Sequence, residues 1–428
     1  MTFALRLALA VLVAACASRA GAQEVLPSCT YGPGALPTET HPGGLHGAQI
    51  PIDTILVLMQ ENRSFDHYLS RLEGKVDRPP RDASNPDPLG GPPIRRFHQT
   101  RLCETADLSH SWNGSHRQWN EGAMDGFTAS NVHPTDPSGA RTMGYYTRRE
   151  LPYYYRLYRT FATSDRHFCS MLGPTYPNRF YLLSGTSFGQ IGNVIPNLGG
   201  PEYTQPSIFE QLDQAGITWR LYFSDVAFGI LYGYVRATGA DNLKPLADYF
   251  ADAAAGTLPQ VSFIDPAFFA GEERTDEHPP ANVQKGQQFV ASVVGALTSS
   301  PQWTRSALFI TYDEHGGYWD HVPPPPACPP DGIGPIGGSP WAFDRYGFRV
   351  PFLVVSPYAR RSYVSHTVTD QTSVLRFIQT RYDLPALTAR DANADPLLEM
   401  FDFEKPPFMK PPRLPEAKID PVRAAECP

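Results

Sequence analysis

A three-layer α/β sandwich with a mostly parallel central sheet is the fold predicted for this 428-residue sequence. Three observations predict it: four apolar runs of strand length, helical segments that alternate with them, and polar clusters at the carboxyl ends of the runs. The runs span 52–59, 261–264, Ser306–Tyr312 and Phe352–Val355. None alternates apolar with polar residues, so each reads as a strand buried on both faces, in a parallel sheet covered by helices. Segments 207–215, 283–297 and 372–382 carry apolar residues three to four apart, the mark of helices with one buried face.

Composition narrows the function. Hydrophobic residues make up 41% and charged residues 18%, ordinary values for a packed enzyme. A net charge of −7 argues against a nucleic-acid partner held by a basic surface. It also weighs against an anionic membrane, leaving room only for peripheral membrane contact. Plentiful Pro (44) and Gly (35), beside 12% aromatics, read as long ordered loops around a regular sheet.

The first residues read as an export signal. A short basic start (1–6), an apolar stretch (7–15) and Ala20-Gly21-Ala22 predict a signal peptide over 1–22 and a single catalytic domain over 23–428. The competing reading takes Val13-Ala14-Ala15-Cys16 as a lipobox, anchoring the protein through a lipid on Cys16. Either way the expected location is secreted or periplasmic, where disulfides form. Cleavage after Ala22 leaves five cysteines. Cys169, inside an apolar-aromatic run, is the expected free thiol, and the other four allow three pairings. No Cys-x-x-Cys spacing occurs, which argues against a thiolate zinc site.

Two runs end in acidic groups: Gln60-Glu61-Asn62 after the first, and Asp313-Glu314-His315-Gly316-Gly317 after the third. Ligands in open parallel sheets bind beyond the carboxyl ends of strands, so both clusters are expected at one sheet edge. There Glu61, Asn62, Asp313 and Glu314 would form an oxygen-rich site for one divalent cation. All-oxygen ligation suits Ca²⁺, Mg²⁺ or Mn²⁺ better than Zn²⁺, although an added histidine blurs that order. Solvated acids capping the next helix would explain one pair alone; two pairs favour a site.

In Gly173-Pro174-Thr175-Tyr176-Pro177-Asn178-Arg179, two prolines hold the backbone around Thr175. A hydroxyl held beside a metal serves as a nucleophile, with Asn178 and Arg179 as donors to phosphate oxygens. The alternative is a structural turn whose Thr caps a helix begun by 180–184. His67, His110, His278 and His315 lie in sharply defined polar contexts, whereas His321 reads as structural. Tyr145, Tyr146, Tyr153, Tyr154, Tyr155 and Tyr158 read either as an apolar, lipid-accepting rim or as helix packing.

These segments, in this order, resemble the bacterial phosphoesterase family that contains phospholipases C and acid phosphatases. The motifs are Glu61-Asn62-Arg63-Ser64-Phe65-Asp66-His67-Tyr68, the 173–179 segment, and Tyr312-Asp313-Glu314-His315-Gly316-Gly317. Similarity extends over 119–127 and 373–377, and covers about 52–382. The resemblance implies an alkaline-phosphatase-like fold and one divalent cation bound by Glu61, Asn62, Thr175, Asp313 and Glu314. It also implies a phosphothreonine intermediate on Thr175, where some acid phosphatases carry serine. By the same resemblance His110 and His278 hold phosphate oxygens or protonate the leaving group, Asn62 also steadies the phosphoryl group, and His315 supports the metal cluster. The implied substrate is a phosphate ester, with phospholipid the first expectation and a phosphomonoester or an inactive surface protein the alternatives. One departure stands out: Asp370-Gln371-Thr372-Ser373 replaces the family's Asp-His-Thr-Ser, so position 371 cannot titrate.

Overall fold

The computed structural model describes residues 27–195 and 206–427. The expected signal peptide, its cleavage site and Cys16 lie outside these residues.

Eight strands form the central sheet: β1 (Thr54–Gln60), β2 (Ala162–Ser164), β3 (Trp219–Phe223), β4 (Leu243–Pro245), β5 (Val261–Asp265), β6 (Ser306–Tyr312), β7 (Phe352–Val355) and β8 (Tyr363–Ser365). Their order is β8-β2-β7-β6-β1-β5-β3-β4. Only β7 runs against its neighbours β6 and β2; every other pairing is parallel. The sequence could not show that reversal, because a strand covered on both faces is apolar throughout whichever way it runs. β1 and β6 sit at the centre, and all seven residues of each are buried. Burying each large aliphatic side chain there contributes about 1.5–3 kcal/mol.

The principal helices are α1 (Phe65–Leu69), α2 (Trp112–Trp119), α3 (Pro152–Thr160), α4 (Thr175–Ser184), α5 (Ile208–Gln214), α6 (Leu246–Ala255), α7 (Val283–Ser299) and α8 (Gln371–Tyr382). α4 packs on α5 and α8, while α7 packs on α3 and α6. The result is the three-layer α/β arrangement expected from the sequence. The expected 207–215, 283–297 and 372–382 helices are α5, α7 and α8, each within two residues at either end.

Disulfides join Cys29 to Cys328 and Cys103 to Cys427, and Cys169 is a buried free thiol. Among the described residues, no helix is long and apolar enough to cross a membrane.

Candidate active site at the carboxyl edge of the sheet

The register of β1 against β6 builds the site. Gln60 pairs with Tyr312 at the last rung, so Glu61-Asn62 and Asp313-Glu314 leave the sheet side by side. Asp313 N donates to Gln60 O at 3.1 Å, Arg63 N to Glu314 O at 3.1 Å, and Asn62 N to Asp313 Oδ1 at 3.3 Å. Asn62 adopts φ +59°, left-handed backbone that asparagine tolerates better than most residues. Gly316 and Gly317 also have positive φ, and here approach matters as much as conformation. A Cβ on Gly316 would lie 2.3 Å from Asn62 O, and one on Gly317 2.6 Å from Leu108 Cβ. Gly316 thus lets the two strand ends meet, and Gly317 lets the second of them meet the loop that carries His110.

Thr175 arrives as the first residue of α4, with Pro174 as the N-cap. The helix therefore starts five residues before the 180–184 segment suggested it would. Its positive dipole end lies at the hydroxyl, where negative charge is favoured. Thr175 is buried, and its hydroxyl lies close enough to the Asp313 carboxyl to favour the charged form.

Two expectations are corrected here. Asn178 Nδ2 donates to Gly173 O at 3.0 Å and Pro174 O at 3.1 Å, while its Oδ1 accepts from Met171 N at 3.0 Å. The amide is spent bracing the Thr175 turn from within and is not offered to a phosphate. Arg179 Nη2 donates to Met59 O at 3.1 Å and Glu61 Oε1 at 3.0 Å, and Nη1 lies 3.5 Å from Asp265 Oδ1. Buried against Phe268 and Phe228, this guanidinium balances carboxylates through Nη1 and Nη2, while its Nε has no partner.

The cluster fits a cation. Asp313 Oδ2, Glu314 Oε1 and both side-chain polar atoms of Asn62 are buried without a hydrogen-bond partner. Buried polar atoms are almost always paired, so four orphans on adjoining residues point to a ligand that the chain itself does not supply. Burial, with Glu61 and Glu314 nearby, pushes the Asp313 carboxyl well above its usual range. Burial likewise raises Glu314 to about 7, opposed by His110. Crowded carboxylates short of positive charge are what a divalent cation would relieve.

Two histidines face this cluster. Asp107, His110 and His278 each place a ligand atom within 4.8 Å of the others. His110 Nδ1 lies 2.8 Å from Leu108 O, and His278 Nδ1 lies 2.6 Å from Pro279 O, so each ring keeps its Nε2 for the site. Burial alone would lower the His110 pKa. The Glu314 and Asp107 carboxylates reverse this and hold it up at about 9, making an imidazolium. Asp107 did not emerge as a site residue from the sequence; its spacing of three from His110 was the available signal.

His315 is buried, with Nδ1 3.0 Å from Glu314 Oε2 and Nε2 2.6 Å from Gln118 Oε1. Burial and the charge on His110 keep it neutral. Gln371 Nε2 donates to Asp313 O at 2.9 Å and Tyr312 O at 3.2 Å, a brace that requires no titrating group.

A cavity of about 280 Å³ opens over Glu61, Thr175, Arg274 and His278. Its far wall is apolar: Val226, Phe228, Ile230, Leu231, Phe268 and Phe269. These residues follow the carboxyl ends of β3 and β5. Of the two readings of the tyrosines, rim or helix packing, none of the six lines this cavity, and Tyr145 is half-buried elsewhere. Tyr146, Tyr153, Tyr154, Tyr155 and Tyr158 are all buried around α3, so helix packing is their role.

A second acidic cluster lies beside the first. Arg349 Nε donates to Asp320 Oδ1 at 2.9 Å and its Nη2 to Asp66 Oδ1 at 3.1 Å, while His321 Nδ1 is 2.6 Å from Asp66 Oδ2. The His321 ring is thus engaged with the Asp66 carboxylate, which is in keeping with the structural reading of its sequence context. His67, wedged between Gly144 O at 2.7 Å and the Tyr318 ring, is likewise buried and held neutral by burial and Arg63.

An acidic, cation-ready strand edge with a hydroxyl at a helix start defines a hydrolase working on charged esters. The comparisons specify it further. The model of the Phosphoesterase family matches residues 52–385. Phospholipase C B of Mycobacterium tuberculosis is 35% identical over 445 residues, covering 88% of this chain and 83% of that protein. Non-specific phospholipase C1 of Arabidopsis thaliana is 33% identical over 410 residues, covering 87% and 75%. Among solved structures, a protein in the alkaline phosphatase superfamily from Vibrio parahaemolyticus aligns over 86% of this chain and 73% of its own, at 10% identity and TM-score 0.41. The chain belongs to the Phosphoesterase family.

Proposed function

We propose that this chain, as one catalytic unit over 23–428, cleaves phosphodiesters in the manner of a phospholipase C, with Thr175 as nucleophile. The observation that carries the reading is the single cavity in which Thr175, Glu61 and His278 face an apolar wall. A diester with one polar and one apolar substituent matches that division, and the relatives named phospholipase C agree with it. A phosphomonoester has a single substituent and cannot fill the polar and the apolar side together.

Glu61, Asn62, Thr175, Asp313 and Glu314 would hold the cation, which when bound lowers the pKa of the Thr175 hydroxyl and offsets phosphoryl charge. Thr175 Oγ, at the start of α4, its proton released to solvent water, then attacks phosphorus. The new O–P bond forms as the bond to the leaving oxygen breaks. The His110 imidazolium holds a phosphoryl oxygen where charge gathers. His278 gives its proton to the leaving oxygen. Water then attacks the phosphothreonine, releasing the phosphorylated headgroup and restoring Thr175. Two disulfides accord with a secreted or periplasmic site of action.

The test uses chelator-stripped protein supplied with Ca²⁺, Mg²⁺, Mn²⁺ or Zn²⁺ singly. p-Nitrophenylphosphorylcholine and p-nitrophenyl phosphate are compared across about pH 5 to 8. Faster cation-restored release from the diester is the expected result. Preference for the monoester would overturn the phosphodiesterase reading.

A further inference from the structure

Behind the site lies a buried carboxylate that the mechanism does not use. Glu277 is fully buried, in the loop between Asp276 and His278. Its Oε2 accepts from Tyr68 Oη and Tyr312 Oη, both at 2.7 Å, and its Oε1 accepts from Tyr154 Oη. Gln60 Nε2 adds a longer contact to Oε1 at 3.4 Å. Arg63 grips the same residue by its backbone, donating from Nε at 3.0 Å and Nη2 at 2.5 Å to the Glu277 carbonyl.

The fold makes two concessions to this arrangement. Glu277 takes φ +73°, left-handed backbone that a residue with a side chain enters only at a cost of about 1–3 kcal/mol. Gly286 on α7 leaves room for its side chain, since a Cβ there would lie 2.1 Å from Glu277 Cγ.

Sequence adjacency supplies the purpose. Arg63 follows Asn62, Tyr312 precedes Asp313, and Glu277 precedes His278. Asp276 is tied in as well, its carbonyl accepting from Glu61 N at 2.7 Å. Gln60, Arg63, Tyr312 and Glu277 thus each sit one residue from a group at the site, while Tyr68 and Tyr154 hold the carboxylate from α1 and α3.

We infer that Glu277 is a positioning residue, whose tyrosine cage sets His278 relative to the metal-ligand edge. The inference rests on the role given to His278 under the proposed function. A misplacement of about 1 Å at a reacting group costs up to about a hundredfold in rate, so the cage is expected to govern kcat where a proton must reach the leaving group.

The experiment compares a diester with a p-nitrophenol leaving group, which departs without help, with one whose leaving group is an unactivated alcohol. Glu277→Gln and Tyr154→Phe are measured beside His278→Ala, with thermal stability and bound cation recorded for each. The expected result is a fall in kcat of about 10- to 100-fold on the alkyl ester. On the p-nitrophenyl ester the fall is no more than about threefold, with KM and bound cation unchanged. Tyr154→Phe, which keeps the carboxylate, shows the same selectivity more weakly. Equal losses on both esters, or no loss on either, would overturn the positioning role. If His278→Ala itself shows no dependence on the leaving group, the role of His278 fails instead, and the result is distinguishable from failure of the cage.

Discussion

Two buried acidic clusters lie a few residues apart in sequence, and their difference separates structure from chemistry. Around Asp66 and Asp320, the Arg349 guanidinium and the His321 ring take up the carboxylate oxygens. Around Asp313 and Glu314 one oxygen of each stays unpartnered, as do both polar atoms of the Asn62 amide. Each group contains conspicuous acids followed by histidine in the sequence. Only the second is short of positive charge, and that deficit marks it as the place where a cation and a phosphate can enter.

The largest expected effect breaks the comparison on the chemical side. Thr175→Ala removes the attacking oxygen and a methyl group. Activity is expected to fall by at least about a thousandfold, with the melting temperature nearly unchanged in a thermal scan. Retention of near-normal rates on every ester would remove Thr175 from the mechanism.

A smaller effect, on stability, sharpens the contrast directly. In metal-free protein, Asp320→Ala removes two of the buried Arg349 guanidinium's carboxylate bonds, leaving it the Asp66 one, and is expected to destabilise by about 3 kcal/mol in denaturant titration. Asp313→Ala relieves crowded like charge and is expected to leave metal-free stability equal or higher. Added cation at 100 times its Kd stabilises the wild type by about 2.7 kcal/mol and this variant not at all. Matching losses in the two alanine variants would erase the distinction between the clusters.

The smallest effect concerns pH. Despite burial, Arg349 and His321 hold Asp66 below its usual 3.8, while the Asp66 and Asp320 carboxylates overcome burial to hold His321 above its usual 6.5. A depressed acid contributes stability above its unfolded pKa and loses it as pH falls through the folded one. A raised histidine contributes below its unfolded pKa and loses it as pH rises through the folded one. Their joint contribution is therefore complete between about 3.8 and 6.5 and declines on either side. His321→Asn should flatten the alkaline limb of stability against pH; an unchanged limb would show that His321 does not titrate with folding.

Much of this was legible in the sequence because apolar runs and their polar ends are local signals. β6 and β7 coincide with the runs read for them, and the convergence of Glu61 with Asp313 follows from placing two such ends in a parallel sheet. What stayed hidden depends on partners distant in the chain. Asn178 and Arg179 look like phosphate donors until Gly173, Pro174, Glu61 and Asp265 are seen to take up their terminal N–H groups. The tyrosines of α3 fit an apolar rim and helix packing equally, since a cluster of them does not say which layer covers it. The actual apolar wall is split between the loops after β3 and β5. Phe269, at 69% exposed, and Ile230, at 45%, gain meaning only when those loops meet above Thr175.

The two disulfides give the chain an unusual mechanical wiring. Cys29 is bonded to Cys328 and Cys103 to Cys427, so three segments run in parallel between the same two covalent junctions. The shortest of them, from Cys29 to Cys103, limits how far the ends can be drawn apart. The longest, from Cys103 to Cys328, carries His110, Thr175, His278 and Asp313 and remains slack when the ends are pulled. Once the sheet has come apart, traction on the ends therefore pulls taut the segment that bears Glu61 and Asn62, while most of the candidate catalytic groups stay off the covalent load path.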